Sequence, residues 1–263
     1  MVQTYASYLR LDELLALQQP QSRGKAHDEM LFIIVHQTYE LWFKEVLHEM
    51  DLVRMRLEND DPAEAQLTIK RILSILKVLV SQMDILETMS APQFLAFRNL
   101  LGTASGFQSA QFRELEFMLG HKQPDVIAVF PKNSQSRRCL ERRFEGATLW
   151  DSFLRCLARF QYAIPEDLLN RDFRHPVKPS EEVQAVLLDV YSNNPVLANL
   201  CELLMDIDEG VQEWRYRHVK MVERIIGSKH GTGGSSGVEY LKSTLFNPSF
   251  PDLWAIRSEF RNR

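Results

Sequence analysis

Two histidines stand where the chain's own pattern asks for apolar side chains. His36 follows Leu31, Phe32, Ile33, Ile34 and Val35 in HDEMLFIIVHQTYELWF, which runs from His27 to Phe43. On a helix its ring shares a face with Phe32, Tyr39 and Glu40, three and four residues away. An imidazole so placed can be a half-buried ring bonded to a neighbouring carbonyl, or a metal ligand shared with Glu40 at i, i+4. The metal reading is weak, because the HEXXH arrangement is absent and no third ligand can be named. His218 sits in the row Leu204, Ile207, Val211, Trp214, His218, Met221, Ile225, whose steps alternate three and four without a slip. Its ring must point into the core. Such a ring is either an axial ligand to haem iron or a polar residue that sets helix register.

Two further stretches could bind a ligand. Arg98 lies among Phe94, Leu95, Phe97, Leu100 and Leu101, and a guanidinium in apolar company wants a carboxylate or phosphate for its planar fork. That anion can be an internal Asp or Glu, or a ligand. HGTGGSSG, from His230 to Gly237, places four glycines in the seven positions from Gly231. It lacks the lysine of a phosphate loop, which argues against a nucleotide. It is a flexible turn, or a flap whose backbone N-H groups and Thr232 hydroxyl close over a small ligand.

The elements that must position these residues read as helices throughout. Gly and Pro number 11 each in 263 residues, and the segments between them repeat at three and four rather than alternating. Helices are expected from about Ala26 to Glu58, Pro62 to Ser90, Pro92 to Leu101, Phe107 to Leu119, Thr148 to Tyr162, Ser180 to Tyr191 and Pro195 to Ile226. Pro62 suits a first-turn position. Gly120 to Ser136 and Ala163 to Pro179 look irregular enough to be excursions over the surface. No Gly/Ser-rich linker and no repeat period divides the chain, so one all-α domain over residues 1–263 is expected.

Composition excludes several classes of function. The formal net charge is -4 and charged residues are 25% of the chain, which does not suit a nucleic-acid binder. Arg137, Arg138, Arg142 and Arg143 alternate with Glu141 and Glu145 and read as a solvated helix face. Three cysteines, Cys139, Cys156 and Cys201, with no close pair fit a reducing cytoplasm. The amino terminus MVQTYASYLRLDELLALQ has neither the basic start nor the apolar run of a secretory signal. No run of about 18 apolar residues suggests a membrane span.

YASYLRLDELLALQ, HDEMLFIIVHQTYELWFKEVLHEMD, FRNLLGTASGFQSAQFRELE and RHVKMVERIIGSKHGTGGSSGVEYL, in that order, resemble the bacterial form of the tryptophan 2,3-dioxygenase family. The match extends to PDLWAIRSEF and is least diagnostic from Gly120 to Pro179. The resemblance implies a homotetramer that binds haem b (iron protoporphyrin IX). It implies insertion of both atoms of O2 across the C2-C3 bond of the L-tryptophan indole, giving N-formylkynurenine, the first step of the kynurenine pathway. Residue by residue, His218 matches the proximal haem ligand and His36 the distal histidine that bonds the indole N-H. Phe32 matches the ring lining the indole pocket, Arg98 the partner of the substrate carboxylate, and Thr232 a contact to the amino-acid end. Ser105 and Gly106 match the loop beside the haem edge. Tyr5, Tyr8 and Leu9, in a segment of about residues 1–25, match residues that reach a neighbouring subunit's site. Phe94 stands where some relatives carry tyrosine; it can line the pocket but cannot donate to a carboxylate. An oxygenase of substituted indoles and a non-catalytic haem sensor are the competing readings.

Overall fold

The computed structural model describes residues 2–227 and 238–260, and among these it contains helices and no strand. Two short helices come first, α1 (Tyr5–Leu9) and α2 (Leu11–Leu15), neither with a buried residue. Then follow the long α3 (Asp28–Glu58) and α4 (Pro62–Leu86), and the short α5 (Ala91–Arg98). After α6 (Ala110–Met118) come α7 (Asp125–Ala128), α8 (Gln135–Glu145), α9 (Leu149–Arg159) and α10 (Glu166–Leu169). The chain continues with α11 (Glu181–Asn193), the 32-residue α12 (Pro195–Ile226), α13 (Val238–Ser243) and α14 (Pro251–Ala255).

Local chemistry explains the boundaries. Pro62 and Pro195 each open a helix behind a side-chain cap: Asp61 accepts from Glu64 N at 3.2 Å and Asn194 from Leu197 N at 3.1 Å. The helix expected to Ser90 stops at Leu86 because Ser90 belongs to the next one, in a capping box with Gln93. The helix expected from Phe107 begins instead at Ala110, since Ser109 caps it and residues 106–108 form a separate 3-10 turn. Gly227 ends α12 at φ +59, a conformation that disfavours any residue with a Cβ.

Packing then creates the space for a site. α4 lies between α3 and α12 and packs closely on both, while α3 and α12 hardly touch one another along their backbones. Gly210 allows the close approach of α12 to α4, since a Cβ there would meet Leu76 Cδ1 at 3.2 Å. The gap left between α3 and α12 is bridged by rings: Trp214 meets Phe43 at 5.8 Å and Tyr39 at 6.1 Å. In the expected row of α12, Leu204, Ile207, Val211, Met221 and Ile225 are buried. Only Trp214 and His218 are part-exposed, because both face that gap.

Two regions depart from expectation. Gly120 to Ser136 is no mere surface excursion: Val126, Ile127 and Phe130 form a satellite core with Phe117 and Leu140. α7 is too short to show a periodic pattern, which is why its apolar face is invisible in sequence. Between Ala163 and Pro179, Ile164 is buried and Leu168, Leu169 and Val177 pack on the main core. The arginine-rich face of α8 is solvated at Arg138 and Arg142. Arg143 turns inward, gripping both carboxylate oxygens of Asp51 (2.5 and 2.6 Å) and reaching Glu114 at 3.2 Å.

Candidate active site

His36 is held by its own helix. The ring lies 2.7 Å from the Phe32 carbonyl oxygen through Nδ1, so Nδ1 must carry the proton and donate. Nε2 is thereby left as a bare acceptor. The Phe32 ring packs on the imidazole with centroids 4.0 Å apart. Burial lowers the His36 pKa and keeps the ring neutral, against weaker raising effects of the Phe32 carbonyl and Glu40. The Glu40 carboxylate accepts from Gln111 at 2.9 Å. Among the described residues no group of three or more His, Cys, Asp or Glu is placed to hold a metal ion.

His218 rises from the opposite side, on α12. Its pKa is pushed down to about 4 by burial, then by His36 and Arg113. No described residue hydrogen-bonds either ring nitrogen. Trp214, one turn earlier, lies flat against it with centroids 5.3 Å apart and planes 2° apart. Both histidines line both of two adjoining cavities, of about 300 and 190 Å³, which also share Leu86, Ser105, Gly106 and Met221.

The larger cavity has aromatic walls and a charged floor. Tyr39, Phe43, Phe112 and Trp214 form the walls. On the floor, Glu116 lies between Arg113 at 2.5 Å and Arg215 at 2.8 Å, all three buried. Two guanidinium groups against one carboxylate leave one positive charge in excess. Arg113 Nε is buried with no partner among the described residues. Trp214 Nε1 likewise lacks a hydrogen bond of normal geometry, the nearby Tyr39 hydroxyl donating instead to Leu79 O at 3.0 Å. Unpaired buried donors are costly unless a ligand meets them.

The smaller cavity brings together Phe32, Phe94 and Arg98 from α3 and α5. Phe94 is buried, with its ring 5.9 Å from Phe32 and 5.4 Å from Phe97. Arg98 is half-buried at the wall. Ser105 accepts from Phe107 N at 3.3 Å and stiffens the turn that carries Gly106 into the junction of the cavities. A Cβ on Gly106 would meet nothing within 4 Å, so the turn borders open space that a flat ligand edge can occupy.

These residues fit an iron porphyrin. A neutral imidazole with both nitrogens free is the donor type that holds haem iron, and the surplus charge at Arg113 suits a carboxylate on the macrocycle's edge. Seven of the residues singled out in sequence thus meet at one place: Phe32, His36, Phe94, Arg98, Ser105, Gly106 and His218. Tyr5, Tyr8 and Leu9 do not reach it within this chain; they are 76%, 70% and 42% exposed. Thr232 lies outside the described residues. Sequence reasoning missed Arg113, Glu116 and Arg215, whose only signal was an Arg and Glu three apart on a phenylalanine-rich helix. Trp214 was visible in the α12 row but read as core.

Comparison with known proteins converges on the same reading. The family described as tryptophan 2,3-dioxygenase matches residues 1–142 and 166–260, leaving unmatched a stretch inside the region least diagnostic in sequence. A tryptophan 2,3-dioxygenase of Herpetosiphon aurantiacus is 55% identical over 97% of this chain and 98% of its own length. One from Anaeromyxobacter sp. strain K is 53% identical over 97% and 95%, and one from Xanthomonas oryzae pv. oryzae 42% over 97% and 87%. With a cavity that sets a bare imidazole opposite a free one, and with relatives alike from end to end, this chain belongs to the tryptophan 2,3-dioxygenase family.

Proposed function

We propose that the protein is a haem-dependent dioxygenase that inserts O2 across the C2-C3 bond of the L-tryptophan indole ring and releases N-formylkynurenine. The observation that carries this is the tautomer of His36. With Nδ1-H donated to Phe32 O, the remaining nitrogen of a half-buried, neutral ring is an acceptor facing the cavity that His218 enters from the other side. An indole N-H is the donor that matches it.

His218 would hold the haem iron and Arg113, with Arg215, the macrocycle's carboxylates. Bound there, haem supplies the iron centre at which O2 is activated. The chain's own residues supply orientation. His36 Nε2 accepts the indole N-H, Phe32 and Phe94 enclose the ring, and Arg98 pairs with the carboxylate of the amino acid. Indole N-H is a very weak acid and neutral imidazole a weak base, so His36 orients the ring and does not deprotonate it. A site built around an N-H acceptor also rejects ring N-methylated analogues. Phe94 offers no hydroxyl to the carboxylate, which leaves Arg98 as its main anchor within the described residues.

The exposed Tyr5, Tyr8 and Leu9 support assembly as a homotetramer in which this segment covers a neighbour's site, Thr232 completing the amino-acid end. No described helix is long and apolar enough to cross a membrane. The deciding experiment reduces haem-loaded protein, adds L-tryptophan in air and follows the N-formylkynurenine chromophore, with His218→Ala as control. Product from the wild type and none from the control is the expected result. A red protein that binds O2 and leaves tryptophan intact overturns the assignment.

A further inference from the structure

Histidines that hold metals are ordinarily fixed by a hydrogen bond from the second ring nitrogen to a carbonyl or carboxylate. His218 has no such bond from any described residue. Its Cβ-Cγ torsion is of the soft, sp3-sp2 kind, so something else must choose the ring plane. The Trp214 indole is parallel to it within 2° at a centroid distance of 5.3 Å.

Trp214 is itself locked. Phe112 of α6 lies 4.8 Å from it, while Phe43 of α3 meets it edge-on at 5.8 Å and 84°, and Tyr39 at 6.1 Å and 72°. Three rings from two other helices therefore hold an indole that in turn lies flat on the imidazole. We propose that Trp214 is a positioning residue for His218, setting the imidazole plane by stacking where a hydrogen bond would usually do so. Its consequence for catalysis rests on the haem reading above; the stacking does not.

A leucine at position 214 would fill space without offering a plane, whereas phenylalanine would keep a smaller flat face. Two measurements test the idea. In the haem-free wild type, nuclear magnetic resonance should place the His218 ring protons away from free-imidazole positions, and Trp214→Leu should return them. In the haem-loaded, ferrous protein, resonance Raman should show one sharp iron-histidine stretching band in the wild type and in Trp214→Phe. In Trp214→Leu that band should broaden or shift, with kcat down about 10-fold and KM for tryptophan unchanged, the split expected of lost preorganisation. Undisplaced ring protons in the wild type, or an unaltered band in Trp214→Leu, would overturn the proposal. Should Trp214→Leu not fold, the wild-type ring-proton measurement still decides. Absence of any iron-histidine band in the wild type overturns the haem reading instead, and leaves the ring-proton result to judge Trp214.

Discussion

Two buried polar regions lie along α12, and they are finished to different degrees. Around Asp208 everything is paired: the carboxylate accepts from Ser249 N at 3.1 and 3.0 Å, from Trp254 Nε1 at 2.8 Å and from Gln212 at 3.2 Å, tying the carboxy-terminal segment to the long helix. Nearby, Lys122 donates to the carbonyls of Arg143, Phe144 and Gly146 at 2.5, 3.1 and 2.9 Å and so closes the end of α8. About two turns along α12 from Asp208, the cavity leaves Arg113 Nε, Trp214 Nε1 and both nitrogens of His218 unmet. The cluster around Asp208 leaves no donor stranded, whereas the open donors of the cavity cost stability unless a ligand meets them; outside both regions Glu49 Oε2 and Arg257 Nε are also buried without a partner among the described residues.

Variants that treat the two regions alike would break this contrast. His218→Ala should have the largest effect on function, abolishing haem retention and product formation, yet the haem-free protein should melt within about 1 kcal/mol of wild type, because no internal bond is lost. Visible absorption and calorimetry together check it. Asp208→Ala should do the reverse. Stranding Ser249 N and Trp254 Nε1 should cost about 3 kcal/mol of stability by denaturant unfolding, with kcat/KM of the surviving folded enzyme near wild type.

Arg98→Leu should lower kcat/KM for L-tryptophan by about 2 kcal/mol, close to 30-fold, mainly through KM, and should weaken discrimination against indoles that lack a carboxylate. His36→Ala should reduce turnover about 10-fold without abolishing it, while improving the relative use of a ring N-methylated tryptophan. Wild-type kinetics in that variant would remove His36 from the site.

The smallest effect concerns pH. Burial, then Arg215, pushes His121 down to about 4, where it meets Ser249 at 3.1 Å in the saturated region. Its folded pKa lies below the unfolded value near 6.5, so the unfolded chain binds the extra proton. Stability from this group is therefore complete above about pH 6.5 and is lost as pH falls towards about 4. His121→Gln should flatten the melting temperature across that window by a few degrees.

Much of the site was legible because a helix converts spacing into a face. Periodicity placed α12 from Pro195 to Ile226 and set His218 inward; a histidine after five apolar residues marked α3; an arginine among phenylalanines marked α5. The short α7 and the satellite core it builds escaped, since four residues carry no period, and so did the inward turn of Arg143, which depends on Asp51 and Glu114 from other helices.

By itself the sequence determined the long helices, their apolar faces, the polar residues standing out of pattern on them, and the family. Tertiary structure alone decided that α3 and α12 part around α4 and leave a cavity, that Arg113 and Arg215 outweigh Glu116 beside it, and that an indole sets the plane of His218. The division is physical: a face is fixed by neighbours three and four residues away, whereas a cavity, a net local charge and a ring plane are properties of side chains brought together from helices distant in sequence.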